Sequence, residues 1–288
     1  MSDVWTIARV AAWATDDFRA RGLESPRLEA EVLLAHALGL PRIQLFLQLE
    51  RELDRDELGR YRALITRRRA REPVAYLIGE REFYGRSFRV DARVLIPRPD
   101  TETLVQVALA RTSQRSLYAR ALDLCTGSGC VAVTIARERP TWRVTATDLS
   151  PDALVVARDN AHRLGAHGLA LLEGDLYAPV GGRRFELITA NPPYIPDIEI
   201  DGLDADVRDF EPRLALSGGA DGLALCRRVV AGAPLALASG GVLAVEIMAG
   251  TSAAVAELFR AAGLEHIAVD RDLAGHDRVV SGVAPLVG

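Results

Sequence analysis

The chain contains no lysine: all 35 of its basic residues are arginine. That excludes a lysine nucleophile, a Schiff base and the lysine of a phosphate-binding P-loop, and it reads as GC-rich codon usage rather than as a functional trait. Cysteine is scarce as well. Cys125, Cys130 and Cys226 are an odd number in a chain of 288 residues, which is too large to need covalent staples, so no disulfide framework is implied and a reducing compartment is expected. The five histidines show no metal-ligand spacing with one another or with the cysteines; no metal site is expected, and solvated surface positions are. No apolar run approaches the ~18 residues of a membrane span. The start, MSDVWTIARVAAWATDD, carries Asp3, Asp16 and Asp17 and no basic stretch before an apolar core, which argues against a secretory signal and makes the cytoplasm the expected location. Net positive charge is lacking too. The value of -4 speaks against wholesale coating of nucleic acid, and the dense basic run Arg67, Arg68, Arg69 and Arg71 lies in a helical pattern and reads as a solvated helix face.

What is present reads as a globular protein. Apolar residues make up 49% and charged residues 26%, enough for a proper core, and the length predicts one large domain with a smaller companion. Residues 1–80 form the smaller, all-α part. Ser25-Pro26 opens a helix that Gly39 and Pro41 stop, and Asp54 followed by Glu57 resembles a capping box. Residues 81–99 read as a connector built on a hairpin within EFYGRSFRVDARVLI, and Asp100 or Thr101 is expected to cap the next helix. From there, residues 100–288 alternate strands and helices. Strand candidates are ALDLC (121–125), RVTATDL (143–149), LALLEG (169–174), FELITA (185–190), GVLAVEI (241–247), EHIAVD (265–270) and RVVSGVA (278–284), with helices at 130–138, 151–163, 221–237 and 251–262. Such a pattern predicts an α/β, Rossmann-like domain with a mostly parallel sheet, and the last two strands, with no helix between them, predict an antiparallel edge hairpin.

In such sheets ligands bind outside the carboxyl ends of the strands. The first of these ends runs into LDLCTGSGCVAVTIA, where Gly127 and Gly129 allow a tight turn and a close backbone approach to a ligand. With Ala132 they complete a G-x-G-x-x-A pattern. Asp148, at the end of the next strand, is placed to accept hydrogen bonds from ribose hydroxyls, so an adenosine-type ligand is expected. Both NAD and S-adenosylmethionine fit at this point. Asp175, after the third strand, is within reach of an adenine amino group, with Leu176 packing on the ring.

The fourth strand ends in ITANPPYIP. Asn191 therefore stands at the ligand crevice, and Pro192 and Pro193 make a rigid loop that donates no backbone hydrogen bonds. A carboxamide oxygen beside a backbone carbonyl matches the two N–H bonds of a planar amino group, and Tyr194 offers a flat face or a hydroxyl to orient it. Methylation of an amide or aromatic amine needs this arrangement, because its nitrogen is a poor nucleophile that must be aimed at an activated methyl. Asn191 is not a base, since a carboxamide does not titrate near neutral pH. An adenine amino group in flipped-out DNA or RNA presents the same geometry; a non-catalytic module on a cofactor fold and an NAD oxidoreductase are further readings.

The chain resembles the peptide chain release factor glutamine methyltransferases, the PrmC or HemK family of class I methyltransferases. The segments that carry the likeness are GEREFYG at 79–85, LIPRPDTE at 95–102, NPPYIP at 191–196, FEPRLALSGGADGL at 210–223 and RDLAGHDRVV at 271–280. The resemblance implies N5-methylation of the glutamine in the Gly-Gly-Gln tip of class 1 release factors, with the helical domain helping to hold the protein substrate; a monomer with no stable nucleic-acid partner and no membrane partner is expected. It implies that Thr126, Gly127, Ser128, Gly129 and Asp148, with backbone from Cys125, bind S-adenosylmethionine, and that Asn191, Pro192, Pro193 and Tyr194 bind the target carboxamide; Asn191 is expected to touch the cofactor as well. Departures stand at Cys125 and Cys130, where the family usually has glycine and alanine, and at Met248 and Thr251, where it commonly has glycine and glutamine.

Overall fold

The computed structural model describes residues 4–286, which divide into two compact units. The smaller holds the chain up to Gly79 together with Ala205–Phe210, and the larger holds Glu80–Asp204 and the residues from Glu211 onward. The hairpin expected as a connector thus belongs to the larger unit, and a short piece of chain beyond the NPPY segment belongs to the smaller.

The smaller unit consists of α1 (Ile7–Ala20), α2 (Pro26–Leu38), α3 (Arg42–Leu47), α4 (Arg55–Arg69) and α5 (Val74–Ile78). Asp54 and Glu57 cap α4 reciprocally: Glu57 N donates to Asp54 Oδ1 at 2.8 Å and Asp54 N donates to Glu57 Oε2 at 3.1 Å. Ser25 stands at the N-cap of α2 without a side-chain cap bond, so Pro26 and the left-handed Gly39 bound that helix. Ile7, Phe18, Leu33, Leu34 and Ile65 close the core, and the buried Tyr61 hydroxyl donates to the Ala30 carbonyl at 3.0 Å. The arginine run is not a solvated face throughout. Arg68 is only 3% exposed and pairs with Glu29 at 2.7 Å and Asp206 at 2.8 Å, Arg69 pairs with Asp17 at 2.7 Å, and Arg67 binds Glu72. A guanidinium can enter the interior when carboxylates meet its fixed fork of donors.

The larger unit opens with the hairpin β1 (Glu80–Phe83) and β2 (Arg86–Arg89), turned through Tyr84 and Gly85, both at positive φ, as a two-residue hairpin turn requires. Its strands end at Arg89, shorter than expected. There follow α6 (Thr101–Arg111), β3 (Arg120–Leu124), α7 (Cys130–Glu138), β4 (Arg143–Asp148), α8 (Pro151–Arg163), β5 (Ala170–Glu173) and β6 (Phe185–Ala190). The single turn α9 (Asp197–Ile200) comes next, and after α10 (Ala205–Arg208), which belongs to the smaller unit, follow α11 (Ala224–Ala236), β7 (Leu237–Glu246), α12 (Ser252–Ala261), β8 (Glu265–Arg271) and β9 (Asp277–Val283). Asp100 stands at the N-cap of α6 but its side chain makes no cap bond there.

The seven strands run in the order β5-β4-β3-β6-β7-β9-β8, parallel as far as β7 and antiparallel across β9 and β8. Successive residues face opposite sides. Ala121, Val144 and Leu187 pack with α6 and α7 on one face, while Leu122, Leu124, Ile188 and Leu243 pack with α11 and α12 on the other. Registers then decide what lies at the carboxyl ends. Leu124 pairs with Thr147 and with Ala190, and Ala190 pairs with Val245. The next residue of each strand, Cys125, Asp148, Asn191 and Glu246, therefore falls in one row across the edge. Between β3 and β6 the strand order reverses, which opens the crevice where such sheets bind ligands.

Candidate active site

A cavity of about 370 Å³ occupies that crevice. Cys125, Thr126, Gly127, Ser128, Asp148, Asp175, Leu176, Asn191 and Pro193 line it; Gly129, Pro192 and Tyr194 do not. Gly127 has φ +54 and open space where a side chain would project, whereas a Cβ on Gly129 would stand 3.2 Å from that of Ala157. Gly129 thus lets α7 pack closely on α8. Asn160 supports the same turn from α8: fully buried, it donates to the Ser128 and Arg89 carbonyls at 2.9 and 3.0 Å and accepts from Arg89 N at 2.7 Å.

Asp148 ties the glycine turn to β4. Its Oδ2 accepts from Gly127 N at 2.8 Å and its Oδ1 from Ser150 N at 2.9 Å, while Ser150 Oγ caps α8 by accepting from Ala153 N. Burial raises the Asp148 carboxyl above its ordinary range, against these backbone donors. Beside it lies Asp123, which was hidden within an apolar strand pattern; a single charged residue in a buried strand was the available signal. It accepts from Thr126 Oγ1 at 2.6 Å and Thr189 Oγ1 at 2.8 Å, and burial pushes it up to about 7. Asp175 forms a half-exposed pair with Arg228 at 2.6 Å. Leu176 is buried at φ +49, and its carbonyl accepts from Thr147 Oγ1.

The NPPY segment is held from both sides. Asn191 Nδ2 donates to Thr101 Oγ1 at 3.3 Å, which leaves Oδ1 available, and Tyr194 donates its hydroxyl to Glu246 Oε1 at 3.3 Å, which leaves its ring face. Ile195 N donates to the Leu216 carbonyl at 3.0 Å and Gly218 N to the Ile195 carbonyl at 2.8 Å, so the SGGADG stretch braces the loop. Gly222 packs so tightly that a Cβ there would meet the Tyr194 carbonyl at 2.4 Å. Two of the segments singled out in the sequence also meet: Arg98 pairs with the buried Glu211 at 2.5 Å. Thr101, Glu246 and this brace were not foreseen, because each acts through residues distant in the chain.

Cys130 is buried and its thiol is pushed up to about 12 by burial; burial raises that of Cys125 as well, so neither is poised as a nucleophile. All five histidines are exposed. Among the described residues, no helix is long and apolar enough to cross a membrane.

Residues 10–79 match the model of the PrmC N-terminal domain and residues 100–203 that of the methyltransferase small domain. A release factor glutamine methyltransferase of Geobacter sulfurreducens is 42% identical over 280 residues, covering 97% of each chain. One of Moorella thermoacetica is 46% identical over 275 residues, covering 95% of this chain and 96% of its own. The chain belongs to the release factor glutamine methyltransferase family. Its sheet is the methyltransferase fold, shared at 17% identity and a TM-score of 0.53 with a methyltransferase of Pyrococcus furiosus, over 77% of this chain and all of that one. Position 125 sits at φ +57, a left-handed conformation that glycine adopts without steric cost and cysteine does not.

Proposed function

We propose that this methyltransferase moves a methyl group from S-adenosylmethionine to the side-chain amide nitrogen, N5, of the glutamine in the Gly-Gly-Gln motif of class 1 peptide chain release factors, in the cytoplasm. The observation that carries this reading is the Asn191 carboxamide, whose nitrogen is committed to Thr101 while its oxygen is left for a ligand at the cavity.

The residues present fit the cofactor. Asp148 has acceptor capacity beyond its two backbone bonds for ribose hydroxyls, the open side of Gly127 admits a close approach, and Leu176 lines the wall for an adenine ring. Asp123, buried and raised in pKa, suits a neighbouring cation, which would restore its charged form. When bound, S-adenosylmethionine supplies a methyl carbon made electrophilic by a sulfonium. The protein's task is then alignment. Asn191 Oδ1 accepts one N–H of the substrate carboxamide, the Tyr194 ring orients its plane, and the bracing by 216–219 and Gly222 keeps the loop from shifting. Positioning of this kind contributes about 7–11 kcal/mol in well-oriented cases, enough to act without a strong base.

The test is to incubate the protein with methyl-labelled S-adenosylmethionine and a purified release factor and to locate the label by mass spectrometry. A gain of one methylene on the Gly-Gly-Gln glutamine is expected. Asn191→Ala should lower turnover by about 100-fold or more and leave cofactor affinity within about twofold; unchanged turnover would remove Asn191 from the role given to it.

A further inference from the structure

A glutamine presented between glycines brings no neighbouring side chain to the cavity, so a protein substrate must be held by surface outside it. A specific contact between proteins covers about 800 Å² on each partner, a disc of radius about 16 Å. Centred on Asn191, it takes in two exposed apolar residues. Ile198 lies four residues beyond Tyr194, within about 14 Å along the chain, and is 88% exposed. It rides on α9, which is held by the buried Ile200 and by Asp197 N donating to the Gly219 carbonyl at 3.0 Å. Leu273 is fully exposed in the turn between β8 and β9. Because β9 runs antiparallel to β7 and Val279 pairs with Glu246, that turn stands at the carboxyl edge of the sheet, the edge that carries Asn191. Val279 is two strand spacings from Asn191, or about 10 Å. The turn is stiff: the buried Asp272 accepts from Ala274 N, His276 N and Arg278 Nε, each at 3.0 Å, and Arg278 pairs with Asp100 at 3.3 Å. Isolated exposed apolar residues are ordinary. These two are displayed on braced turns beside one site, and neither supports the core.

We infer that Ile198 and Leu273 are docking anchors for the release factor, and that the release-factor surface meeting Ile198 is basic. The strand order supports the placement: the residues assigned to the cofactor end or follow β3, β4 and β5, whereas Leu273 follows β8 on the far side of Asn191. The cofactor and the protein substrate then approach from opposite sides. The charge follows from the chain around Ile198, where residues 197–204 hold Asp197, Glu199, Asp201 and Asp204, all exposed, and no basic residue. Arg208, just beyond, is paired with Asp209 at 2.7 Å. Even with the exposed Arg213 of the brace counted, this ledge is negative. An acidic ledge speeds encounter with a cationic partner, and apolar anchors beside it slow the partner's release. The inference rests on the reading above, in which a release factor is the substrate and Asn191 receives its glutamine.

The test is steady-state kinetics with an intact release factor at saturating S-adenosylmethionine. Ile198→Ser and Leu273→Ser should each raise the KM for the release factor by about 10-fold, with kcat and S-adenosylmethionine affinity within about twofold. Ile198→Leu should stay near wild type. The wild-type KM should rise with salt, and the double variant Glu199→Gln/Asp204→Asn should show a higher KM at low salt and a flatter salt dependence. Reversing both charges, in Glu199→Arg/Asp204→Arg, should raise the KM further. All four side chains are exposed, so urea midpoints should not move, which separates lost docking from lost folding. A wild-type KM in either serine variant, a loss confined to kcat, or a KM that ignores salt would each overturn the inference while the wild type still labels the Gly-Gly-Gln glutamine. A wild type that leaves this glutamine unlabelled would instead overturn the reading beneath it.

Discussion

Replacing Asp148 by asparagine is a sharper perturbation than removing its side chain. Both carboxylate oxygens accept from backbone N–H groups, Gly127 at 2.8 Å and Ser150 at 2.9 Å, and their remaining lone pairs are those assigned to the ribose. Asn has one acceptor oxygen, and its NH₂ would point a donor at one of two donors already within hydrogen-bond distance. The side chain must rotate or the glycine turn must move. Hydrogen bonds to a charged acceptor contribute about 1.5–3 kcal/mol each, so losing one to the ligand while disturbing the turn amounts to about 3 kcal/mol, or about 100-fold in Kd. Asp148→Ala leaves the two N–H groups without their acceptor but introduces no opposing donor, so Asp148→Asn should bind S-adenosylmethionine no better than Asp148→Ala. Titration calorimetry of the three proteins gives Kd, and kcat at saturating cofactor should stay within a few-fold. If Asp148→Asn bound with wild-type affinity, neither the charge nor the double acceptor would matter, and the ribose assignment would be wrong.

Two further substitutions separate the brace from the cofactor turn. Gly222→Ala places a Cβ against the Tyr194 carbonyl at a φ of +74; the NPPY loop must give way, so kcat should fall by about 10-fold or more with S-adenosylmethionine affinity unchanged, as measured by turnover and calorimetry side by side. At position 125, a left-handed non-glycine residue costs about 1–2 kcal/mol, and glycine returns about 0.5–1 kcal/mol of that as chain entropy. Cys125→Gly should thus leave the urea midpoint close to wild type, while the β-branched Cys125→Val should lower stability by about 2 kcal/mol or more; an equally stable Cys125→Val would show that the turn is not constrained at 125.

Local chemistry made most of the elements legible. The spans of α7, α8 and β6 match their expected limits residue for residue, because Gly129, Ser150-Pro151 and the Asn-Pro-Pro run punctuate the chain by steric rules that act within a few residues. The hairpin is shorter than its sequence pattern for the same local reason: β-branched residues continue to Ile96, but Asp91 turns the backbone by accepting from Arg93 N at 3.0 Å. The sequence around Arg68 reads as a solvated face because its two carboxylate partners lie 39 and 138 positions away.

The amino-acid order by itself determined the alternation of strands and helices, the glycine turn, Asp148 and the NPPY loop, since each follows from φ restrictions, hydrophobic period or side-chain chemistry over a short span. Tertiary structure alone decided which way Asn191 faces, what occupies the Tyr194 hydroxyl and why Glu246 is buried, because Thr101, Asn191, Tyr194 and Glu246 come from separate segments and meet only through the register of parallel strands. Hydrogen-bond polarity depends on partners within about 3 Å in space, and neighbours along the chain carry no record of them.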